Sequence, residues 1–295
     1  MEIYESSNGL ISRDEWEKQI ISLFKSRRAD IKEEVNEEAL SKIISRAVEK
    51  RIPSEKCGVL LSGGVDSTLI AFLLKRLGAE VECFSVGISG SEDLNWARIA
   101  AASLNLPIFC EEFSDESLES AFRTVKRILE TDNPVSICIG AVSYLGMKLA
   151  SDHNVHIIFS GLGSEELFAG YERHLNALKQ GRDVNEECLS GLISMYERDI
   201  ERDYKISKAL GCVLKTPFLD DELIPASAAI PGSEKINLED KKIILRRSAM
   251  LLGLPEQFCT RKKRAAQYGS GFERRMEKIA KKHGFKSERE YCKFL

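Results

Sequence analysis

The chain has 295 residues, 43% of them hydrophobic and 30% charged, which supplies a core for one large domain or two modest ones and excludes a disordered or fibrous chain. No stretch of 18 consecutive apolar residues occurs, and the opening MEIYESSNGL carries charge where an export signal is greasy, so neither a membrane span nor secretion is expected. The net charge of −3 is unevenly spread: residues 261–295 hold 12 Lys and Arg against 4 Glu, a net of +8, and leave the first 260 residues at −11.

Along the chain, Trp16, Ile20, Ile21 and Phe24 recur at helical spacing, as do Leu40, Ile43, Ile44 and Val48, which predicts amphipathic helices over 13–27 and 37–51. CGVLLS (57–62) is a short apolar run bounded by glycines and reads as a buried parallel strand. A helix over 68–77 stops at Gly78, and a strand over 80–88, a helix over 93–104, a strand over 107–113 and a helix over 115–130 follow. VHIIFS (155–160) reads as another apolar strand, and beyond about residue 172 helical patterns take over, as in 185–210 and 239–252. This alternation predicts an α/β fold, a doubly wound, mostly parallel sheet with additional C-terminal helices. Three segments are expected: an N-terminal helical segment (1–53), the sheet-bearing domain (54–270) and a basic helical tail (271–295).

Eight cysteines lie at least 24 residues apart, so no CxxC pair exists for zinc, redox or iron–sulfur chemistry. Most sit in apolar runs and are expected to be small core hydrophobes in a reducing cytosol, which gives a cytoplasmic expectation.

Two strands run into turns of small and acidic residues, the place where parallel sheets bind ligands. The first turn is Ser62-Gly63-Gly64-Val65-Asp66-Ser67. Its glycines let backbone N–H groups approach an anion, Ser62, Ser67 and Thr68 add hydroxyls, and a helix starting here aims its positive end at the same spot. This is a phosphate cradle, though not a Walker loop, since no GK[ST] follows. Asp66 would repel phosphate unless a cation stood between them, so it implies Mg²⁺. By residue usage such a hexapeptide arises on the order of once in 10⁷ starting points, too seldom for an ordinary capped turn.

SGGVDS after an apolar strand resembles the pyrophosphate (PP) loop of the N-type ATP pyrophosphatases, and within them the synthetase domain of the asparagine synthetases and their β-lactam-synthetase relatives. FSVG (84–87), SEDLNWARIAAASLNLP (91–107), SGLGSEELFAGY (160–171), TPFLDDEL (216–223) and KIILRRSAMLLGLPEQFCTRKKRAAQYG (242–269) resemble further family segments in the same order. RKKRAAQYGS (261–270) is also similar to the ending of the asparagine-synthetase-domain-containing proteins. The resemblance implies the adenine nucleotide α-hydrolase-like fold of the PP-loop ATPases and an AMP- and pyrophosphate-forming ligase. A carboxylate substrate attacks the α-phosphorus of ATP, and ammonia or an amine then attacks the acyl-adenylate. It places the phosphates on Ser62, Gly63, Gly64, Asp66, Ser67 and Thr68, and adenine and ribose on Leu61, Val86 and Gly161, with Ser160 on the nucleotide too. It assigns Mg²⁺ to Asp66 and Glu165 and the clamping cation to Lys263, so that Lys263, Asp66 and Glu165 carry the chemistry.

Five positions depart from the family pattern, the mildest being Glu165 where the family has a metal-site aspartate, which keeps the charge. The glutamate of SGEGSDE is Leu162, the carboxylate and arginine of GxExRxPFLD are Val213 and Lys215, and the arginine of IRxS is Cys138. The nucleotide side is therefore expected to be intact and the acceptor side altered, which weakens free aspartate as the substrate. Only about 50 residues precede the loop and the second residue is Glu2, so no glutaminase domain is expected. Nitrogen is expected from free ammonia, an ammonia-donating partner subunit or an amine. Two alternatives stay open: a PP-loop enzyme that modifies tRNA, with the basic tail on phosphates, and a nucleotide-binding pseudoenzyme or assembly partner. Of the four histidines, only His174 follows the second turn closely enough to be a candidate base.

Overall fold

A computed structural model describes residues 2–26, 35–262 and 265–295. A short hairpin pairs Glu5–Ser6 with Gly9–Leu10 ahead of two helices, α1 (Arg13–Ser26) and α2 (Glu37–Glu49). Strand β1 (Cys57–Leu60) and helix α3 (Val65–Arg76) follow, then β2 (Val81–Gly87), α4 (Glu92–Ser103), β3 (Ile108–Glu112) and α5 (Asp115–Leu129). Next come α6 (Pro134–Asp152), β4 (Ile157–Phe159), α7 (Ser164–Leu167), α8 (Glu172–Lys179) and α9 (Val184–Met195). A π-helical turn, Tyr196–Ile200, leads into α10 (Glu201–Ala209) and β5 (Val213–Lys215). The remainder is helical: a 3-10 turn at Pro217–Leu219, α11 (Leu223–Ala229), α12 (Gly232–Lys235), α13 (Ile243–Leu252), α14 (Glu256–Thr260), α15 (Ala266–Gly269), α16 (Phe272–Lys282) and α17 (Glu288–Phe294).

The five strands form one sheet in the order β3-β2-β1-β4-β5. β1 runs parallel to β2 with Leu60 opposite Phe84, and parallel to β4 with Val59 opposite Phe159. β2 runs parallel to β3 from Cys83–Ile108 to Gly87–Glu112. The four expected strands are all present, and the doubly wound α/β expectation holds. Two elements depart from expectation. β5 forms where no strand was expected beyond residue 172, because three residues are too short to show a period of two; its Val213 N–H donates to the His156 carbonyl at 2.8 Å. Helix α6 occupies the stretch after Asn133-Pro134, for which no element was predicted; Asn133 caps the helix and Pro134 opens it. Asn133 accepts from the N–H groups of Val135 and Ser136 at 2.9 and 3.3 Å.

α6 was invisible to periodicity because it is apolar on most faces. Its 19 residues are long and apolar enough to cross a membrane, the one such helix among the described residues, yet Ile137, Cys138, Ala141, Leu145, Met147, Leu149 and Ala150 are buried within the protein. Burial of each large side chain there contributes about 1.5–3 kcal/mol.

The chain divides into two compact units that do not follow its linear segments. One combines residues 1–52, 160–201 and 215–260; the other combines 53–159, 202–214 and 261–295 and contains the sheet. In the sheet unit, Phe84, Phe122, Ile137, Ile158 and Ile206 share a core with Phe272, Met276 and Tyr291 of the basic tail. The tail's apolar stripe is thus a packing surface. In the other unit, Trp16 is fully buried and donates its Nε1–H to the Leu192 carbonyl at 2.9 Å, while Phe168 meets Phe218 edge to face. All eight cysteines are free thiols and all but Cys110 are buried, with burial pushing Cys57 up to about 11 and Cys83 to about 12.

Candidate active site

The sheet unit positions one group of expected site residues at the end of β1. Leu61 is buried after the strand, with its N–H on the Phe84 carbonyl at 2.8 Å. Ser62 and Ser67 then tie the turn across its neck: their Oγ atoms lie 3.1 Å apart and the Ser62 N–H donates to Ser67 Oγ at 3.2 Å. α3 begins at Val65, three residues earlier than the apolar pattern suggested, because Gly64 serves as an N-cap that supplies no side-chain hydrogen bond. No side-chain cap bond is made at the start of this 12-residue helix, and Asp66 is half-buried in its first turn. Thr68 is fully buried, and its Oγ1 makes no hydrogen bond. Val86, near the end of β2, is 5% exposed.

Gly63 has a φ of +67°, and a Cβ there would lie 2.6 Å from the backbone carbonyl of Trp96. The loop backbone therefore rests directly on α4, which only glycine permits. Glycines, an uncapped helix start and an unsatisfied buried hydroxyl together fit a phosphate group.

A second side chain reaches this loop from a distance in sequence. Arg261 Nη1 donates to the Ser62 carbonyl at 2.8 Å, and Nη2 meets Glu92 at 3.2 Å and Asp93 at 3.3 Å. The guanidinium lies 4.9 Å from the centre of the Trp96 ring. Sequence reasoning missed Arg261 because its neighbours in RKKR hide it; the signal lay in its following an apolar helix end, Phe258-Cys259, rather than solvent. Lys263, the expected clamp, lies outside the described residues.

The other unit holds Ser160, Gly161 and Glu165. Ser160 donates its N–H to the Lys215 carbonyl at 3.0 Å and accepts at Oγ from the Leu162 N–H at 3.3 Å. Glu165 and Glu166 open the short helix α7, as expected for acids at a helix start. Glu165 pairs with Lys242 at 2.6 Å, and Lys242 also donates to Ser164 Oγ at 3.1 Å. Lys242 is buried with a φ of +58° at the start of α13, a backbone state that a lysine adopts only when its surroundings hold it there. It opens the KIILRRS segment quoted for the family resemblance, so the motif was visible and the partner was not.

Glu166 points the other way, into the unit. It is 1% exposed, receives Arg198, and has Arg173 at 3.6 Å. Arg198 also holds Asp199 at 2.6 Å, an adjacent residue brought to the same side by the π-helical turn. Burial, and then the charge of Asp199, pushes Glu166 up to about 7 against the pull of both arginines. His174, the candidate base, is fully buried, accepts from the Tyr171 N–H at Nδ1, and is driven down to about 3 by burial and then by Arg173. It stays neutral and caps α8, so it is no base at neutral pH. Among the departures, Cys138 is buried with Sγ 3.7 Å from Met276 Sδ, and Val213 is 40% exposed on β5.

A parallel α/β sheet whose first core strand ends in this loop defines a PP-loop nucleotide domain. A family model described as asparagine synthase matches residues 39–185 and 176–290, and the chain belongs to the asparagine synthase family. It is 34% identical over 311 residues to a protein of Methanocaldococcus jannaschii whose name assigns it to the glutamine-hydrolyzing asparagine synthetases, covering 92% of this chain and 57% of that one. It is 28% identical to asparagine synthetase B (glutamine-hydrolyzing) of Escherichia coli, covering 73% and 41%. The chain thus spans about half the length of the curated relatives it matches. Among solved structures, NMN synthetase from Francisella tularensis overlaps with a TM-score of 0.42 at 14% identity, covering 88% of this chain and 90% of that one.

Proposed function

We propose that this asparagine-synthetase-like domain is an ATP-dependent, AMP- and pyrophosphate-forming ligase that adenylates a carboxylate for attack by ammonia or an amine. The observation that carries the reading is the turn 62–68, where glycine backbone, an uncapped helix start and the unsatisfied Thr68 hydroxyl coincide. The substrate carboxylate oxygen attacks the α-phosphorus, pyrophosphate leaves, and the nitrogen lone pair then displaces AMP from the acyl carbon. Such displacement needs positioning and charge cancellation more than covalent help. Ser62, Gly63, Gly64, Ser67 and Thr68 would hold the phosphates, with Leu61, Val86, Ser160 and Gly161 toward the nucleoside. Asp66 and Glu165 are the carboxylates we assign to Mg²⁺, which supplies neutralisation of the polyphosphate when bound, and Lys263 is the clamping cation. Leu162, Val213 and the buried Cys138 support an acceptor recognised without the family's carboxylate and arginine set.

The test is a screen for pyrophosphate release against the amino acids, with and without ammonia. Equal AMP and pyrophosphate with one carboxylate is the expected result; ADP as product overturns the ligase reading, and ATP binding without turnover favours a pseudoenzyme. Asp66→Asn, close to isosteric, should lower turnover at least tenfold, or about 1.4 kcal/mol, while the melting temperature holds.

A further inference from the structure

We propose that Arg261 is the positioning residue of the phosphate loop: by gripping the Ser62 carbonyl from beneath, it fixes the direction in which the Gly63 N–H points. This rests on the reading of residues 62–68 as the phosphate loop. A trans peptide carries its C=O and N–H on opposite sides. The Ser62 carbonyl accepts from Arg261 at 2.8 Å, so the Gly63 N–H of the same peptide is turned to the opposite side. Gly63 has no Cβ and sits at a φ of +67°, so side-chain sterics on that side do little to set this peptide's orientation. The Ser62–Ser67 bonds close the neck of the turn, and Arg261 holds the carbonyl of this peptide.

The brace is built for stiffness. The Arg261 side chain is only 3% exposed, so it does not meet a soluble ligand directly. Glu92 and Asp93, on the first turn of α4, hold one edge of the guanidinium, and the Trp96 ring lies against it. The paired acids balance its charge, which leaves fixing the geometry of the Ser62–Gly63 peptide as its main effect. The packing continues on both sides: the Trp96 backbone sits where a Gly63 side chain would be, and the Asp93 carboxylate sits 2.5 Å from where a Gly269 Cβ would be. The Ile88 N–H donates to the Ser270 carbonyl at 3.0 Å, so the segment 261–270 is anchored beyond β1 at one end and beyond β2 at the other, with Asp93 of α4 touching both ends.

The test is binding, with no acceptor needed. Trp96 reports on the loop by fluorescence; the other tryptophan, Trp16, is buried in the other unit, and the ligand-induced signal should vanish in Trp96→Phe. The full chain is titrated with magnesium pyrophosphate and, separately, with adenosine, with calorimetry as a second readout. Arg261→Met should weaken pyrophosphate tenfold or more and leave adenosine within twofold, while Lys262→Ala changes neither. A role in stability alone would weaken both ligands together or neither, and either result overturns the proposal. Should Arg261→Met fail to fold, Asp93→Asn and Arg261→Lys carry the same test, because each keeps the side-chain volume while loosening the grip. Both should show the split between the two ligands, at about threefold or more. If the unaltered chain binds adenosine but no pyrophosphate or ATP, the phosphate-loop reading falls and the brace with it. If it binds pyrophosphate and the Arg261 variants bind it equally well, the brace alone falls.

Discussion

The turn leaving β1 and the turn leaving β4 use the same residue types, small residues followed by acids at the start of a helix, and are held by different forces. In the first, Gly63 and Gly64 expose backbone, Ser62 and Ser67 bond to each other, and the following helix runs for 12 residues. Its positive potential comes from the backbone itself. In the second, the helix α7 has only four residues, and the acids are held by ion pairs: Glu165 by Lys242 and Glu166 by Arg198. One turn is held by backbone packing and short hydroxyl bonds, the other by an adjustable set of charged side chains. A strand-end motif of glycine, serine and acid therefore does not fix its own electrostatics; the residues that reach it from elsewhere do.

The largest expected effect is on the first turn. Gly63→Ala places a Cβ 2.6 Å from the backbone carbonyl of Trp96 at a φ of +67°. Backbone cannot step aside, so overpacking adds to the left-handed penalty, and the loss is about 3 kcal/mol. Urea unfolding measures it. A midpoint unchanged from the parent chain would mean that the loop does not rest on α4.

The second turn should show its character through pH. Glu166 sits at about 7 in the folded chain against an ordinary 4.5. A carboxylate raised in this way contributes stability that is present below about pH 4.5 and lost as pH rises to about 7. The window corresponds to roughly 3 kcal/mol, since one pKa step is about 1.4 kcal/mol. Glu166→Gln does not titrate, so it should gain on the parent chain by that amount between pH 4.5 and 7.5. Parallel stability curves for the two proteins would show that Arg198 and Arg173 fully offset the burial. The groups facing Glu166 are Asp199, Arg198, Arg173, Glu165 and Tyr171.

The two turns also differ in how far they were legible in the sequence. The first was read almost whole, from SGGVDS alone, because everything that defines its chemistry lies within seven consecutive residues. Arg261 was the exception, 199 residues away from the carbonyl it holds. The second was read only for its acids, since Lys242 lies 77 residues from Glu165 and Arg198 lies 32 from Glu166. The order of the sheet's strands came only from the structure, while the parallel α/β sheet itself followed from alternating strands and helices. β5 and α6 did not, for opposite reasons: one too short to display a period, the other too uniformly apolar to have one. His174 looked like a base by proximity in sequence, and burial, which no local pattern reveals, removed that role.

The smallest expected change in stability comes from Gly170→Ala, the counterpart of Gly63→Ala in the second turn. A Cβ there would lie 1.6 Å from Glu165 Oε2 and 2.4 Å from Lys242 Cε, closer than anything at Gly63. The obstacles are the far ends of two flexible side chains, and rotation about their own bonds relieves the overlap. The cost should be about 1–2 kcal/mol, chiefly from loosening the ion pair between partly exposed Glu165 and buried Lys242, which keeps its bond to Ser164 Oγ. Function should respond more than stability. If Glu165 serves the metal as proposed, moving its carboxylate should lower turnover about as far as Glu165→Gln does, with only that modest change in unfolding. A stability loss as large as that of Gly63→Ala would show the second turn to be as rigid as the first. Full turnover with the carboxylate displaced would remove Glu165 from the chemistry.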